Sequence, residues 1–402
     1  MSAVANTSRH LSSEIAVVGG SAAGLYTALE LARRGRSVTV LESAPAFNAL
    51  PRTLIVTSHY RKFLGSAADK SIVNEIRQFE LFADGRTTTV PLREPDLIIE
   101  RAQVIQALVE DCANAGVEIA TGHRMTGLRT AQAGVTLQGE CQGATFEVAP
   151  KVLVGADGAF SAVARQSGWG RMPTAPLVQA VVELPAGFPR DTTRVWFVPE
   201  DTPYFYWLIP ESSGRGVLGL IGEDGRQTRR CLQRFLAQQK LTAIEYQAAR
   251  VPIYQRWTPV HRRFGTADVY IVGDAAGHVK VTTVGGIVTG FRGALGVVEA
   301  IMQGGPGREL RLLRQELDLH LRVRRMLNRF TLNDYRRLVD LMSAPVLDVL
   351  GSVPRDEARR MLMKLCLTQP ALLAMGVRTM FQDWVQGPAL GPERWAEEKR
   401  EL

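Results

Sequence analysis

Cysteine is scarce in this sequence. The 402 residues include four cysteines, and no two of them form a C-x-x-C pair. This pattern excludes a disulfide-rich secreted scaffold and a cysteine zinc site, and no metal site is predicted. We therefore expect a protein that works in a reducing environment.

Long apolar runs are also missing. Crossing a bilayer takes about 20 apolar residues, but the nearest run, 361–381, is interrupted by Lys364, Gln369, Pro370 and Arg378. The first fourteen residues are polar and lack the apolar segment of a secretory signal. The sequence therefore predicts a cytoplasmic protein without a membrane span.

Acidic residues are the minority among the charged ones. The chain has 48 Lys and Arg against 40 Asp and Glu, a formal net charge of +8. An excess of this size is typical of proteins that bind nucleic acids or anionic membranes. Because the sequence has no zinc finger, helix-turn-helix signature or basic strand with interleaved aromatics, nucleic acid is not predicted as a partner.

More than half of the positive excess lies in residues 308–337, which hold nine Arg and four acidic residues, a net +5. Leucines at 310, 313, 317 and 321 recur at steps of three and four, which predicts a basic amphipathic helix or helix pair. Two roles stay open for it. It caps a substrate cavity with a solvated basic face, or it docks on an anionic membrane surface or an anionic lipid or protein substrate.

The amino-terminal segment has the order of a dinucleotide-binding βαβ unit. An apolar run at 15–18 precedes a glycine-rich turn, a helical pattern, and a second β-rich run that ends in Glu42. Gly19 permits the tight turn, Gly24 allows close helix packing, and the helix N-terminus suits a pyrophosphate. Ser21 stands where a glycine is usual. Glu42 can accept hydrogen bonds from ribose hydroxyls, which favours FAD or NAD over NADP.

Three later motifs extend this pattern. Asp157-Gly158 follows a strand-like run at 151–155, Gly273-Asp274 follows a buried run at 269–272, and Arg101 opens a predicted helix. With these motifs in order, the sequence resembles the flavoprotein superfamily of para-hydroxybenzoate hydroxylase-like monooxygenases and geranylgeranyl reductases. The resemblance implies FAD, with Asp274 on the ribityl chain, Asp157 near the pyrophosphate and Arg101 along the cofactor. Its implied cofactor contacts are Gly19, Ser21, Ala22, Ala23, Gly24, Glu42, Ser43, Arg52, Arg101, Met125, Asp157, Gly273, Asp274, Gly285, Gly286 and Ile287.

The loop after Asp274 indicates a branch of that superfamily. Residues 277–288 read Gly-His-Val-Lys-Val-Thr-Thr-Val-Gly-Gly-Ile-Val and lack the proline-containing loop usual in the aromatic hydroxylases. The loop is similar to that of archaeal-type geranylgeranyl reductases. Backbone N–H groups at 285–287 are expected to stabilise negative charge on the reduced flavin.

Candidate substrate and catalytic residues come from two segments. In the predicted strand 204–210, Tyr204 and Tyr206 share one face and Trp207 lies on the other, and alternation alone leaves open which face lines a pocket. Tyr204 and Trp207 are the substrate candidates, and Tyr206 is a catalytic candidate. The segment 43–65 lacks the cysteine that many archaeal-type reductases carry there. A proton donor from this segment would be His59 or Tyr60, and we choose His59 as the catalytic candidate; the alternative is a solvent-facing histidine without a catalytic role.

The resemblance implies an α/β fold: a doubly wound, Rossmann-like FAD-binding domain of the glutathione reductase type, an interleaved antiparallel β-sheet substrate domain, and a C-terminal helical region. The expected FAD-binding domain comprises 12–60, 95–170 and 265–305, the substrate domain 61–94 and 171–264, and the helical region 306–402.

The implied function is an FAD-dependent oxidoreductase that acts on a hydrophobic or aromatic substrate, with NADPH, NADH or ferredoxin as electron donor. One reaction is hydride transfer to a carbon–carbon double bond of a prenyl or lipid-like substrate. The alternative is hydroxylation of an aromatic substrate, a small molecule or a protein tryptophan, through a C4a-hydroperoxyflavin.

Overall fold

The computed structural model describes residues 9–11, 13–48, 51–372, 374–376 and 378. In chain order, its strands are β1 (Arg9–Leu11), β2 (Ile15–Val18), β3 (Val38–Leu41), β4 (Thr53–Val56), β5 (Ile72–Ala83), β6 (Arg86–Glu100), β7 (Glu118–Ala120), β8 (Arg124–Ala131), β9 (Gly134–Cys141), β10 (Ala144–Val148), β11 (Val152–Gly155), β12 (Thr174–Glu183), β13 (Thr192–Trp196), β14 (Tyr206–Pro210), β15 (Arg215–Ile221), β16 (Ala243–Pro252), β17 (His261–Phe264) and β18 (Ala267–Ile271). The helices are α1 (Ala22–Ala32), α2 (Tyr60–Leu64), α3 (Arg101–Asn114), α4 (Ala162–Gln166), α5 (Gly225–Gln238), α6 (Ile287–Gln303), α7 (Arg308–Leu327), α8 (Leu332–Asp340), α9 (Ala344–Ser352) and α10 (Ala358–Thr368).

A six-stranded sheet forms the first layer, in the order β17-β18-β11-β2-β3-β7. Five of its strands run parallel, and β17 pairs antiparallel at one edge. Every residue of β2, β3 and β11 is buried, as expected for parallel strands covered on both faces. The prediction of a doubly wound α/β domain is confirmed.

An eight-stranded sheet forms the second layer, in the order β16-β12-β15-β14-β13-β5-β6-β4. All its pairs are antiparallel except β13 with β5. Two segments expected in the FAD-binding domain, β4 and residues 95–100, belong by their hydrogen bonds to this sheet. The reason is that β6 is one continuous strand of 15 residues, and its end recruits β4 as a partner.

The C-terminal helices pack on both layers. α7 lies against α6, α8 against β5 and β6, and α9 against β6. The basic stretch therefore forms a helix pair, α7 and α8, as its leucine spacing predicts. Leu310, Leu313 and Leu317 face the interior, and the buried guanidinium of Arg324 lies 4.7 Å from the centre of the Tyr204 ring. None of the described helices combines the length and apolarity needed to cross a bilayer.

Candidate active site

Four motif turns meet at one edge of the parallel sheet. Gly19 follows β2, Glu42 follows β3, the Asp157 turn follows β11, and Gly273-Asp274 follows β18. Because parallel strands end at the same edge, the fold brings these four turns together at the carboxyl ends of the strands. This edge is where open α/β sheets bind their ligands.

The glycine turn leaves no room for other side chains at two positions. Gly19 has a φ of +103°, and a Cβ there would lie 2.6 Å from the carbonyl oxygen of Ala156. A Cβ on Gly24 would lie 2.3 Å from the carbonyl oxygen of Gly19. Ser21 caps α1 by accepting a hydrogen bond from the Gly24 N–H, and its hydroxyl donates to Ala156 O at 2.9 Å. The serine thus ties the turn to the end of β11.

The first turn of α1 presents backbone donors to this edge. The N–H groups of Ala22 and Ala23 precede the first intrahelical hydrogen bonds, so they remain available to an anionic ligand. Together with the positive end of the helix dipole, they form a phosphate-binding arrangement.

Glu42 holds the loop at the neighbouring strand end. Its Oε2 accepts from the Gly20 N–H at 2.7 Å, and its Oε1 accepts from the Ala44 N–H at 2.8 Å and the Ser43 hydroxyl at 3.1 Å. Carboxylate oxygens have further lone pairs, so Glu42 can still accept from a ribose. The backbone of Glu42 accepts from the His123 N–H, which brings Met125 near this end of the site.

The structure shows how the side chain of Asp157 is held. Its carboxylate accepts from the backbone N–H groups of Ala162 at 2.6 Å and Val163 at 3.1 Å, and from the Ser161 hydroxyl. The side chain is therefore directed at its own turn and caps α4. We infer that Asp157 shapes the loop beside the pyrophosphate site and leaves ligand contacts to the backbone.

Arg52, Arg101 and Asp274 come together from three distant segments. Many protein atoms surround Asp274, but its side chain is solvent-exposed. We call the space between the four motif turns the cleft. The position of Asp274 raises the pKa of its carboxyl by desolvation, while the charges of Arg52 and Arg101 act to lower it. Desolvation and the charge of Arg101 lower the pKa of Arg52. Within the described residues, the buried Nε of Arg52 has no hydrogen-bond partner.

This arrangement fits a dinucleotide such as FAD. The buried N–H of Arg52 is a hydrogen-bond donor without an acceptor, and a pyrophosphate oxygen would be a suitable acceptor for it. Asp274 offers acceptors for hydroxyl groups, and its Oδ1 would lie 3.4 Å from a Cβ on Gly286. Asp274 and the start of α6 are therefore the groups that would hold the ribityl and flavin ends of the cofactor.

The start of α6 carries no side-chain cap. Gly286 is its N-cap residue, and the preceding loop closes where the Lys280 N–H donates to Gly285 O at 3.2 Å. Gly285, Gly286 and Ile287 all line a cavity of about 390 Å³. Bare N–H groups and the dipole of a 17-residue helix therefore face that cavity.

The cavity lies between this loop and the eight-stranded sheet, and its far end is closed by the C-terminal region. Its sheet wall is mostly apolar, from Leu54, Phe79, Leu81, Val90, Leu177, Val195, Phe197, Phe205, Trp207, Ile209 and Ile221. Residues 350–355 and Met361 close it. The volume is at the low end of the ~300–1,000 Å³ typical of small-molecule sites.

Strand β14 shows which predicted face lines the cavity. Trp207 lines it, with Phe205 and Ile209. Tyr206 faces the other way, where its ring stacks on Phe235 of α5 and its hydroxyl donates to Asp201 at 2.7 Å. The alternation of the strand buries the predicted catalytic residue Tyr206 under α5, so it does not line the cavity.

Two other predicted residues also lie outside the cavity wall. Tyr204 is buried beneath Arg324 and packs against α7, so it is not placed to touch a substrate. His59 lies 3.5 Å from Glu357 through its Nε2 and is not among the residues that line the cavity. The neighbouring side chains of Thr57 and Ser58 line it instead.

Sequence reasoning missed two ion pairs at the cavity wall, of which Lys280, Arg355 and Asp96 line the cavity. Lys280 pairs with Asp356, and Arg355 pairs with Asp96. Burial alone would raise the pKa of Asp356, but Lys280, Thr57 and Arg355 lower it to about 2. Burial raises the pKa of Asp96 despite Arg355. Lys280 stands inside a recognisable loop motif, whereas no sequence signal points to Asp96, Arg355 or Asp356.

His278, two residues before Lys280, is expected to make folding sensitive to pH. Its ring is buried and stacks on Trp257, and neither ring nitrogen has a hydrogen-bond partner in the described part of the chain. Burial lowers its pKa to about 3, below the ~6.5 of an unfolded chain. The folded state holds His278 in its neutral form. The stability that this contributes is complete above pH 6.5 and is lost progressively between pH 6.5 and 3.

We therefore expect acidification from pH 8 to pH 5 to cost about 2 kcal/mol of the free energy of unfolding through His278. His278→Leu should remove that part of the pH dependence. Denaturant unfolding of both proteins at the two pH values measures it. An unchanged pH dependence in the variant would show that another group is responsible.

Comparison with known proteins agrees with this geometry. Residues 12–304 match the FAD binding domain family. Digeranylgeranylglycerophospholipid reductase 2 of Methanothermobacter thermautotrophicus is 28% identical over 298 residues, which cover 68% of this chain and 74% of that protein. Geranylgeranyl diphosphate reductase of Rhodobacter capsulatus is 27% identical over 319 residues, with coverages of 74% and 78%.

A solved structure shows the same fold. The geranylgeranyl bacteriochlorophyll reductase-like protein of Thermoplasma acidophilum has a TM-score of 0.76 at 17% identity, over 92% of this chain and 100% of that one. The family match covers most of the chain and includes every motif turn of the cleft. The chain therefore belongs to the FAD binding domain family and is an FAD-dependent oxidoreductase.

Proposed function

We propose that this enzyme reduces a carbon–carbon double bond of a prenyl chain or prenyl lipid. The observation that carries the proposal is the cavity, in which a mostly apolar wall meets the bare start of α6. A prenyl chain gains roughly 25 cal/mol for each Å² of apolar surface that it buries there. The loop from Lys280 to Gly286 and the two reductases named above support the same reaction.

The roles of the chain's own groups follow from their positions. Bound FAD, once reduced, supplies a hydride equivalent for the double bond. Arg52, Arg101 and Asp274 hold the cofactor, and the N–H groups of Gly286 and Ile287 stabilise negative charge at its edge. The aromatic and aliphatic wall, including Trp207, orients the substrate and excludes water.

The test is an anaerobic single turnover. Enzyme reduced with dithionite is mixed with geranylgeranyl diphosphate or a digeranylgeranyl glycerophospholipid, and the products are analysed by mass spectrometry. We expect a gain of two hydrogens for each double bond reduced, with oxidation of the flavin. Products that gain an oxygen atom only when O₂ is admitted would instead support the hydroxylase alternative.

A second pocket supports a proposal about the electron donor. This pocket, of about 840 Å³, lies beside the turn that follows Asp157. It is lined by Trp169 and Trp257 and by four arginines, Arg165, Arg171, Arg256 and Arg262. Among the described residues, no acidic side chain lines it and none forms an ion pair with these arginines. We propose that an anionic donor, NADPH or NADH, docks here through its phosphates.

Charge reversal tests this donor site. We expect Arg256→Glu to raise the KM for NADPH about tenfold, because it places a negative charge against the donor's phosphates. The rate with dithionite as reductant should not change. Arg226→Glu, on the exposed surface of α5, is the matched control. Equal effects of the two reversals would show general electrostatics rather than a docking site.

A further inference from the structure

We propose that Lys280 donates the proton that completes reduction of the double bond. The inference rests on the proposed function, because it assigns the acid of that reaction. It begins from the position of the lysine, whose side chain is buried and lines the substrate cavity.

Lys280 lies at the flavin end of the cavity. Its backbone bonds to Gly285, and a Cβ on Gly285 would lie 3.6 Å from its Nζ. The ammonium group is therefore beside the residue that precedes the N-cap of α6, where the reacting edge of the cofactor is expected. A double bond held in this part of the cavity would lie beside Lys280, and FAD, when bound and reduced, would supply the hydride.

The cavity offers few other acids. In the part of the chain that the structure describes, no histidine, cysteine or tyrosine lines it. Its remaining carboxyl groups are Glu94, which is exposed, and Asp96, which is paired with Arg355. Among the ionisable residues that line the cavity, Lys280 is thus the donor that lies beside the start of α6.

The partner of Lys280 holds its side-chain nitrogen in place. Asp356, which comes from the connection between α9 and α10, accepts from Nζ with one oxygen and from the Thr57 hydroxyl with the other. The charged groups around Lys280 are Asp356 and Arg355 on that connection, Asp96 on β6, and His320 and Glu316 on α7. The C-terminal region therefore supplies the carboxylate that holds the donor in place.

The atoms and electrons of the step balance. Hydride from the reduced flavin forms one new C–H bond and carries two electrons, so the flavin is oxidised. The electron pair of the double bond takes a proton from Lys280 to form the second C–H bond, and one N–H bond breaks. The neutral amine then regains a proton from water, for which Thr57, Ser58 and the exposed Glu94 provide a polar route along the cavity wall.

The experiment compares Lys280→Met with Lys280→Arg in single-turnover reduction of geranylgeranyl diphosphate by pre-reduced holoenzyme, in H₂O and in D₂O. Arginine keeps the charge and the pair with Asp356, but it does not release its proton at working pH. We expect both variants to be at least about 100-fold slower and to lose the solvent isotope effect of the wild type. Arg93→Gln is the control, since it breaks the Arg93–Asp348 pair between β6 and α9 outside the cavity.

Two further measurements separate proton donation from a structural role. FAD content and the dissociation constant for the saturated product should stay within about threefold of the wild type in Lys280→Arg. Recovery of the wild-type rate by Lys280→Arg would overturn the proposal, since charge alone would then suffice. A wild-type enzyme that forms no reduced product would overturn the proposed function, and the donor role with it, whereas active wild type and active variants would overturn the donor role alone.

Discussion

Replacing Asp274 with alanine is expected to weaken FAD binding about 10- to 100-fold. The carboxylate lies on the floor of the cleft beside Gly286 and is flanked by the positive charges of Arg52 and Arg101. Its loss removes charge-assisted hydrogen bonds to the cofactor's hydroxyl groups, each worth about 1.5–3 kcal/mol. Flavin content after purification, and titration of the apoprotein with FAD, measure the effect.

The matched control for this change is Asp268→Ala. Asp268 lies six residues earlier, and its carboxylate pairs with the exposed His261 outside the cleft. We expect this variant to keep its full flavin content. If Asp274→Ala retained FAD as firmly as Asp268→Ala, the assignment of Asp274 to the cofactor would be refuted.

Filling the cavity should abolish turnover without loss of FAD. Val195 lies opposite Leu81 on one neighbouring strand and Trp207 on the other, and all three line the cavity. Val195→Trp inserts an indole into the space expected for the substrate, so we expect kcat/KM to fall at least about 100-fold. Flavin content should not change, because the glycine turn, Glu42 and Asp274 lie at the edge of the other sheet.

Arg194→Trp is the control for size and position. It adds the same side chain one residue away, on the face where Arg194 pairs with Glu80. Because neighbouring residues of a strand point to opposite faces, this indole cannot reach the cavity. Equal loss of activity in the two variants would indicate damage to the sheet and would contradict the cavity as the substrate site.

Strand β14 shows how much of the substrate site could be predicted from the sequence. Alternation correctly separated Tyr206 from Trp207, but it could not tell which face lines a cavity. That choice depended on α5, whose apolar side covers Tyr206 and leaves Trp207 facing the space beneath the loop at 283–288. Helix α5 begins 15 residues after β14 ends. No local sequence pattern indicates which face of the sheet this helix covers.

The basic stretch at 308–337 was also predicted only in part. Leucine spacing predicted the helices at 308–337, and α7 and α8 are there. The spacing did not predict that Arg324 would be buried over Tyr204, or that Glu316 and His320 would face the interior near Lys280. Those positions were decided by the packing of α7 on the substrate sheet.

The fold class and the cofactor could be predicted from local sequence patterns. The glycine turn, Glu42 and the Gly-Asp motif are local patterns whose conformations depend on neighbouring residues, and each follows a strand that the same pattern predicts. What closes the cavity and which charges lie at its wall depend on contacts between distant segments of the chain. Lys280 and Asp356 are 76 residues apart, and their contact arises from the packing of the C-terminal region over the cavity, which no local pattern encodes.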